Sequence, residues 1–169
     1  ILWHRIPAYF IKALDFTPFF SSDRDGEKKS EDYKVFGLKN IDEKYAIISL
    51  LNSSLFYWFW FSISDGYHCG KHEVLNFPVE FKELNPETRV LFNDIGLRLM
   101  QSLIANSIRR TRNQKTTIVE YDEFYPSLSK PIIDEIDTLL ASHYGFTEEE
   151  LDFIINYDIK YRIRNESEE

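Results

Sequence analysis

The chain has 169 residues, of which 43% are hydrophobic and 28% are charged, so it is long enough to bury a core and is predicted to form one domain. Its single cysteine, Cys69, excludes an internal disulfide, which argues against a small secreted scaffold and predicts a cytoplasmic location. The net charge of −8 is concentrated in residues 129–169, which carry 4 basic and 11 acidic side chains, so it does not exclude a nucleic-acid ligand elsewhere.

Two short segments rich in aromatic and β-branched residues, 9–14 and 33–38, are predicted to pair as a β-hairpin. The charged stretch between them contains the turn signal Asp25-Gly26. Cations at the predicted tip are either part of an ordinary solvated loop or contacts to a phosphate backbone. These candidate backbone contacts are Arg24, Lys28 and Lys29.

Apolar residues recur at three- and four-residue spacing between residues 42 and 61, which predicts a helix. Residues 45–64 carry no charge, so a membrane span has to be considered. Ser49, Asn52 and Ser53 argue against a span, because lipid would leave their polar groups poorly satisfied. The last turns are apolar all round, which predicts cover on two sides, by a second layer of the core or by a partner domain.

A second long helix is predicted from Pro86 to about Arg112, again with apolar residues on two sides. Its predicted C-terminal turn carries three basic residues, Arg109, Arg110 and Arg112. Cations stabilise the C-terminal end of a helix through its dipole, and they also suit contacts to phosphate, so both interpretations stay open.

The last third of the chain has the clearest helix signals. Ser129 and Pro131 predict the start of one helix and Gly145 its end, and Thr147 with Glu150 forms a capping-box pattern for another. The exposed side of the first helix is expected to carry the carboxylates Asp134, Glu135 and Asp137. The whole pattern predicts an α+β fold, with a small antiparallel N-terminal sheet packed on several long helices and a helical C-terminus.

The polar loop after the aromatic helix is the best candidate for a binding site. Gly66 and Gly70 permit tight turns that bring the backbone close to a surface. Its candidate base-reading side chains combine donors, acceptors and flat rings in one short segment: Tyr67, His68, Lys71 and His72. A structural zinc site is disfavoured because no second cysteine exists, and the sequence has no glycine-rich nucleotide loop.

Several short strings of the sequence are similar to strings found in one known protein family. The central strings are LLNSSLFYWFW at 50–60, SDG at 64–66 and NFP at 76–78, and the C-terminal strings are SKPIIDEID at 129–137, HYGFTEEELD at 143–152 and INYDIKYR at 155–162. RIP at 5–7, IKAL at 11–14 and DYK at 32–34 add to them. Together they resemble the target-recognition region of adenine-specific DNA methyltransferases from fused, Type IIG restriction-modification systems.

The resemblance implies that the chain supplies sequence recognition for an enzyme that methylates a flipped-out adenine with S-adenosylmethionine. The family's catalytic Asn/Asp-Pro-Pro-Tyr/Phe motif belongs to an upstream domain, and this sequence has no Pro-Pro pair. No cofactor or catalytic site is therefore expected here, whether or not an endonuclease is fused to the enzyme. The implied partners are double-stranded DNA and the catalytic domain of the same chain.

The sequence departs from the resemblance inside the polar loop. Family members usually carry Arg at the position of Tyr67 and Leu-Asn at Cys69-Gly70, so different base contacts are expected, because Arg pairs well with guanine and Tyr does not. We expect a piece of a longer protein, with residues 1–165 forming one target-recognition domain and 166–169 a frayed acidic tail. The alternative is a protein-docking module without direct DNA contact.

Overall fold

The computed structural model describes residues 1–38, 40–79, 84–114 and 116–163, and it confirms the predicted α+β class. The predicted acidic tail at 166–169 lies outside the described residues. The strands are β1 (Leu2–His4), β2 (Ala13–Leu14), β3 (Phe20–Ser22), β4 (Gly26–Glu27), β5 (Tyr33–Val35), β6 (Ser107–Gln114) and β7 (Thr117–Phe124). The helices are α1 (Lys44–Asn52), α2 (Ser54–Ile63), α3 (Lys71–Leu75), α4 (Pro86–Ala105), α5 (Lys130–Tyr144), α6 (Glu148–Asn156) and α7 (Ile159–Arg162).

The first sheet has β1 at its centre, between antiparallel β2 and β5. The predicted hairpin of residues 9–14 with 33–38 is therefore wrong, because both segments pair with the N-terminal strand and not with each other. Trp3 of this strand is fully buried, so the central position removes its large apolar side chain from water. The Asp25-Gly26 signal instead closes the hairpin of β3 and β4, with Gly26 at a φ of +71°.

The second sheet has the strand order β4-β3-β7-β6 and contains a segment that was predicted as helix. Helix α4 ends at Ala105, and the Asn106 side chain caps it by donating to the carbonyl of Ser102 at 2.9 Å. The following eight residues of β6 pair along the whole length of β7. The predicted helical turn with Arg109, Arg110 and Arg112 is therefore wrong: the three arginines lie on a strand, since pairing with β7 satisfies the backbone there.

The long helix predicted from 42 to 61 is broken. Ser53 has an extended ψ of 156° and caps α2, because its Oγ accepts a hydrogen bond from Phe56 N at 2.9 Å. The chain bends by 65° between residues 41–52 and 54–63. Among the described residues, no single helix is both long and apolar enough to cross a membrane, and only this bent pair reaches that length and composition together.

The other helix signals of the C-terminal third are confirmed in part. Gly145 ends α5 in the left-handed conformation, and Thr147 with Glu150 forms the expected capping box of α6. The Ser129 hydroxyl makes no capping bond and instead contacts Ser102 Oγ at 2.8 Å. The shared core joins strands and helices, and its largest fully buried side chains include Trp3, Phe56, Trp60, Phe92 and Leu99.

Asp137 is not on the exposed side of α5, as was predicted, but is buried with 1% exposure. Its carboxylate accepts hydrogen bonds from the backbone N–H groups of Ser54 and Leu55 at 3.2 and 3.1 Å, at the start of α2. Burial raises the pKa of Asp137 to about 6, although these hydrogen bonds and the charge of Arg162 oppose that shift. The carboxylate therefore ties α5 to α2 from inside the core.

Candidate nucleic-acid interface

The backbone of the polar loop is anchored from the core by two tryptophans. Buried Trp60 donates its indole N–H to the carbonyl of His68 at 2.8 Å, and buried Trp3 donates to the carbonyl of Cys69 at 2.9 Å. Cys69 N donates to the carbonyl of Arg5 at 2.8 Å, which ties the loop to the end of β1. Three hydrogen bonds on two neighbouring residues hold the loop in one position.

A turn at Asp65 shapes the first half of the loop. The Asp65 carboxylate accepts from Tyr67 N at 2.9 Å and from His68 N at 2.7 Å. Gly66 has a φ of +69°, and an added Cβ would lie 3.2 Å from the ring of Phe61, so glycine suits this position on both counts. The short helix α3 then begins at Lys71, with Gly70 N donating to Glu73 at 2.8 Å.

The four predicted base-reading side chains all belong to this loop and helix and are exposed: Tyr67, His68, Lys71 and His72. The Tyr67 and His68 rings contact edge to face, with centroids 4.7 Å apart. His72 Nδ1 lies 3.6 Å from a carboxylate oxygen of Glu73. Exposed polar groups on a fixed backbone are the arrangement that reading of a base edge requires.

Cys69 differs from its neighbours because its side chain is fully buried. Burial raises the pKa of the Cys69 thiol to about 12, which disfavours the thiolate that a metal would need. Within the described ranges, no group of three or more His, Cys, Asp or Glu side chains is placed to hold a metal ion. Cys69 acts here as an apolar residue beneath the exposed loop.

Beside the loop lies an open depression, which we call the basic depression. It is lined by Arg5, Lys29, Glu31, Tyr33, Lys34, Val35 and Lys71. Four of these residues are cationic and one is acidic, so positive charge prevails locally although the chain as a whole is acidic. In the part of the chain that the structure describes, the three lysines have no ion-pair partner, and Arg5 Nε lies 3.6 Å from Asp32.

The basic depression unites predicted and unpredicted residues. Lys71 was predicted to reach bases and Lys29 to reach phosphates, and the fold brings them to one surface. Arg5 and Lys34 were not predicted as contacts. The alternation in β5, where Tyr33 is buried and Lys34 exposed, is the sequence signal that could have indicated Lys34.

The other predicted phosphate contacts lie on the second sheet, and most of them are paired. Arg109 contacts Asp122 at 2.7 Å and stacks over Phe19, and Arg110 contacts Glu123 at 2.7 Å. At the tip of the β3–β4 hairpin, Lys28 contacts Asp25 at 2.6 Å, whereas Arg24 is 83% exposed and 3.9 Å from the same carboxylate. These ion pairs cancel much of the charge that a phosphate would meet.

Arg112 lines a separate cavity of about 280 Å³ between the two sheets. The charged residues of this cavity have mixed sign: Lys12, Asp32, Arg112, Asp122 and Glu123. Tyr33 lines both this cavity and the basic depression, so the two are neighbours. Mixed charge makes the cavity less suited than the basic depression to a polyanion.

Comparison of the chain with known protein families, curated proteins and solved structures finds no match.

Proposed function

We propose that this chain binds double-stranded DNA and supplies sequence recognition to an adenine-specific DNA methyltransferase. The observation that carries the proposal is the basic depression of Arg5, Lys29, Lys34 and Lys71, which adjoins the exposed loop of Tyr67 and His68 through Lys71. Lysines that face solvent without carboxylate partners suit phosphates, and the rigid loop beside them suits base edges.

The acidic net charge does not oppose this role. The field at a ligand is set by charges within about a Debye length, ~10 Å, and the residues that line the basic depression carry a net positive charge. The basic depression is formed by residues from the first half of the chain. DNA bound there meets four cations and one carboxylate among the lining residues.

The methyltransferase part of the proposal rests on the resemblance of the central and C-terminal strings. In that role, methyl transfer from S-adenosylmethionine to adenine belongs to a catalytic domain outside this segment, and this chain positions the DNA. The proposal also places the protein in the cytoplasm, where bacterial restriction-modification enzymes meet DNA.

Lys71→Ala tests the base-reading role of the loop. Selection of bound sequences from a randomised duplex library, by the wild-type protein and by the variant, measures the preferred motif. We expect Lys71→Ala to change the motif or to weaken binding by about 1–3 kcal/mol for a lost bidentate contact. Lys160→Ala is the matched control, since Lys160 is an exposed lysine that lies outside the basic depression and is not among the candidate DNA contacts.

An unchanged motif together with unchanged affinity for Lys71→Ala would contradict base reading by this loop. A wild-type protein that enriches no duplex at low salt would contradict DNA binding altogether. Both outcomes are read from the same library experiment.

Protein docking is a second candidate function, and one observation favours it. Helix α4 exposes three apolar side chains at seven-residue spacing, Val90, Leu97 and Ile104, which are 66%, 41% and 53% exposed. Such a stripe suits a protein surface. Binding of a protein partner through it would change little with salt, whereas DNA binding weakens steeply.

A further inference from the structure

Asp65 and His68 form a contact that the base-reading role of the loop does not by itself require. While one carboxylate oxygen of Asp65 accepts the two backbone N–H groups of the turn, the other lies 2.8 Å from His68 Nδ1. Asp65 therefore fixes the backbone of His68 and its imidazole ring at the same time. A ring held in this way has one nitrogen occupied and one available.

The protonation state of Asp65 determines whether Asp65 or His68 Nδ1 donates the hydrogen bond between them. The hydrogen bonds from His68 N, from the His68 ring and from Tyr67 N lower the pKa of Asp65 to about 2. Its carboxylate is therefore ionised at neutral pH and can only accept hydrogen bonds. The proton of the contact must sit on His68 Nδ1, so the neutral ring carries its lone pair on Nε2.

The rest of the loop keeps this ring in place. The indole of Trp60 holds the His68 carbonyl at 2.8 Å, and the ring of Tyr67 packs edge-on against the imidazole. The His68 side chain remains 57% exposed, and Nε2 has no hydrogen-bond partner in the described parts of the chain. Nε2 is thus a preorganised acceptor on the exposed side of a rigid loop.

We propose that Asp65 is a positioning residue that holds His68 as the Nδ1–H tautomer, so that His68 Nε2 accepts a hydrogen bond from the amino group of a base. In the major groove, adenine N6 and cytosine N4 offer that donor, whereas guanine and thymine offer acceptors at the corresponding positions. The inference rests on the proposed DNA-binding function and names the class of base that His68 selects.

Asp65→Asn is expected to change the tautomer of His68 while keeping the shape of the loop. The Asn carbonyl still accepts from Tyr67 N and His68 N, but the Asn amide donates to His68 Nδ1, which moves the ring proton to Nε2 and turns the acceptor into a donor. Two readouts are needed: the ring nitrogen shifts of ¹⁵N-labelled protein in alkaline buffer, and the motif selected from a randomised duplex library. Asp94→Asn on α4 is the control, because it makes the same change of charge at an exposed helical position.

We expect the wild type to show the Nδ1–H tautomer and to require adenine or cytosine at one position of its motif. Asp65→Asn should show Nε2–H and relax or replace that base, with about tenfold or greater loss of affinity for the wild-type motif, while Asp94→Asn changes neither readout. A wild-type ring in the Nε2–H form, or a motif unchanged in a folded Asp65→Asn variant, would overturn this inference alone. Failure of the wild type to enrich any duplex would overturn the proposed function and this inference with it. The wild-type spectrum decides the tautomer even if the variant does not fold.

Discussion

Gly96→Ala is expected to destabilise the protein by about 3 kcal/mol, even though alanine favours helices more than glycine does. Gly96 lies in α4 where that helix crosses α1, and an added Cβ would lie 2.3 Å from the carbonyl oxygen of Tyr45 and 2.6 Å from Ser49 Oγ. The first contact is with backbone, so relief requires the two helices to separate. Because buried Phe92 and Leu99 of α4 belong to the same core, separation would also loosen the packing around them.

Urea denaturation of the wild type and of Gly96→Ala measures this cost. Gly37→Ala is the matched control, because no atom lies within 4 Å of its added Cβ and its φ is not positive. The control should stay within about 0.5 kcal/mol of the wild type. A Gly96→Ala variant as stable as that control would contradict the close crossing of α1 and α4.

Asp137→Ala is expected to cost about 3–5 kcal/mol at neutral pH. The substitution leaves the buried N–H groups of Ser54 and Leu55 without their acceptor, and it removes a negative charge that faces buried Arg162. The Arg162 guanidinium is held by Ser54 Oγ at 2.9 Å and by the carbonyl of Tyr9 at 3.2 Å, so it cannot readily move to water. Asp137 is the strongest of the negative groups that act on Arg162, so its removal leaves this buried cation with only the weaker attraction of Tyr57, Asp134 and Asp158.

Thermal and urea unfolding of Asp137→Ala should be compared with Glu135→Ala on the same helix. Glu135 forms a two-pronged ion pair with Arg98 at 2.7 and 2.9 Å, but both side chains are nearly half exposed. Such an exposed pair is screened by solvent and contributes little to stability. If the two variants lost similar stability, the buried role of Asp137 would be refuted.

Local signals in the sequence predicted the parts of the fold that depend on local interactions. The capping box of Thr147 with Glu150 and the helix end at Gly145 involve residues a few positions apart, and both occur in the structure. The break at Ser53 was missed because apolar spacing continues through it, although a serine can cap a new helix. Strand β6 was missed because its pairing with β7 competes with the helical periodicity of α4.

The sequence contains a signal for the burial of Asp137 that the prediction missed. It follows Ile133 by four residues and precedes Leu140 by three, so helical geometry places it on the buried stripe. A carboxylate on such a stripe must have partners, but the N–H groups of α2 that it meets lie more than 80 residues away in sequence. Only the folded structure identifies them.

One part of the candidate interface could be predicted from the sequence, and the other part could not. The exposed loop was predicted from its own glycines and polar residues, and the structure places those side chains on a fixed backbone. The basic depression could not be predicted, because it depends on β5 pairing with β1 and on the loop bonding to Arg5. Lys34 and Lys71, which meet there, are separated by the whole of α1 and α2.

The most direct test of DNA binding at the basic depression is the salt dependence of affinity. The triple variant Lys29→Ala, Lys34→Ala, Lys71→Ala removes three lysines that line the depression, and the control Arg89→Ala, Arg98→Ala, Lys160→Ala removes the same charge from residues outside it. Binding to a labelled duplex from about 50 to about 200 mM salt gives the slope of log affinity against log salt.

We expect the lysine variant to bind more weakly and its slope to flatten by about 2, since the loss of Lys29 and of Lys34 each removes a phosphate contact that contributes ~0.9, whereas the loss of Lys71 removes a base contact. The control variant should keep a slope close to that of the wild type. Equal slopes for the wild type and the lysine variant, or equal flattening in both variants, would contradict DNA binding at the basic depression.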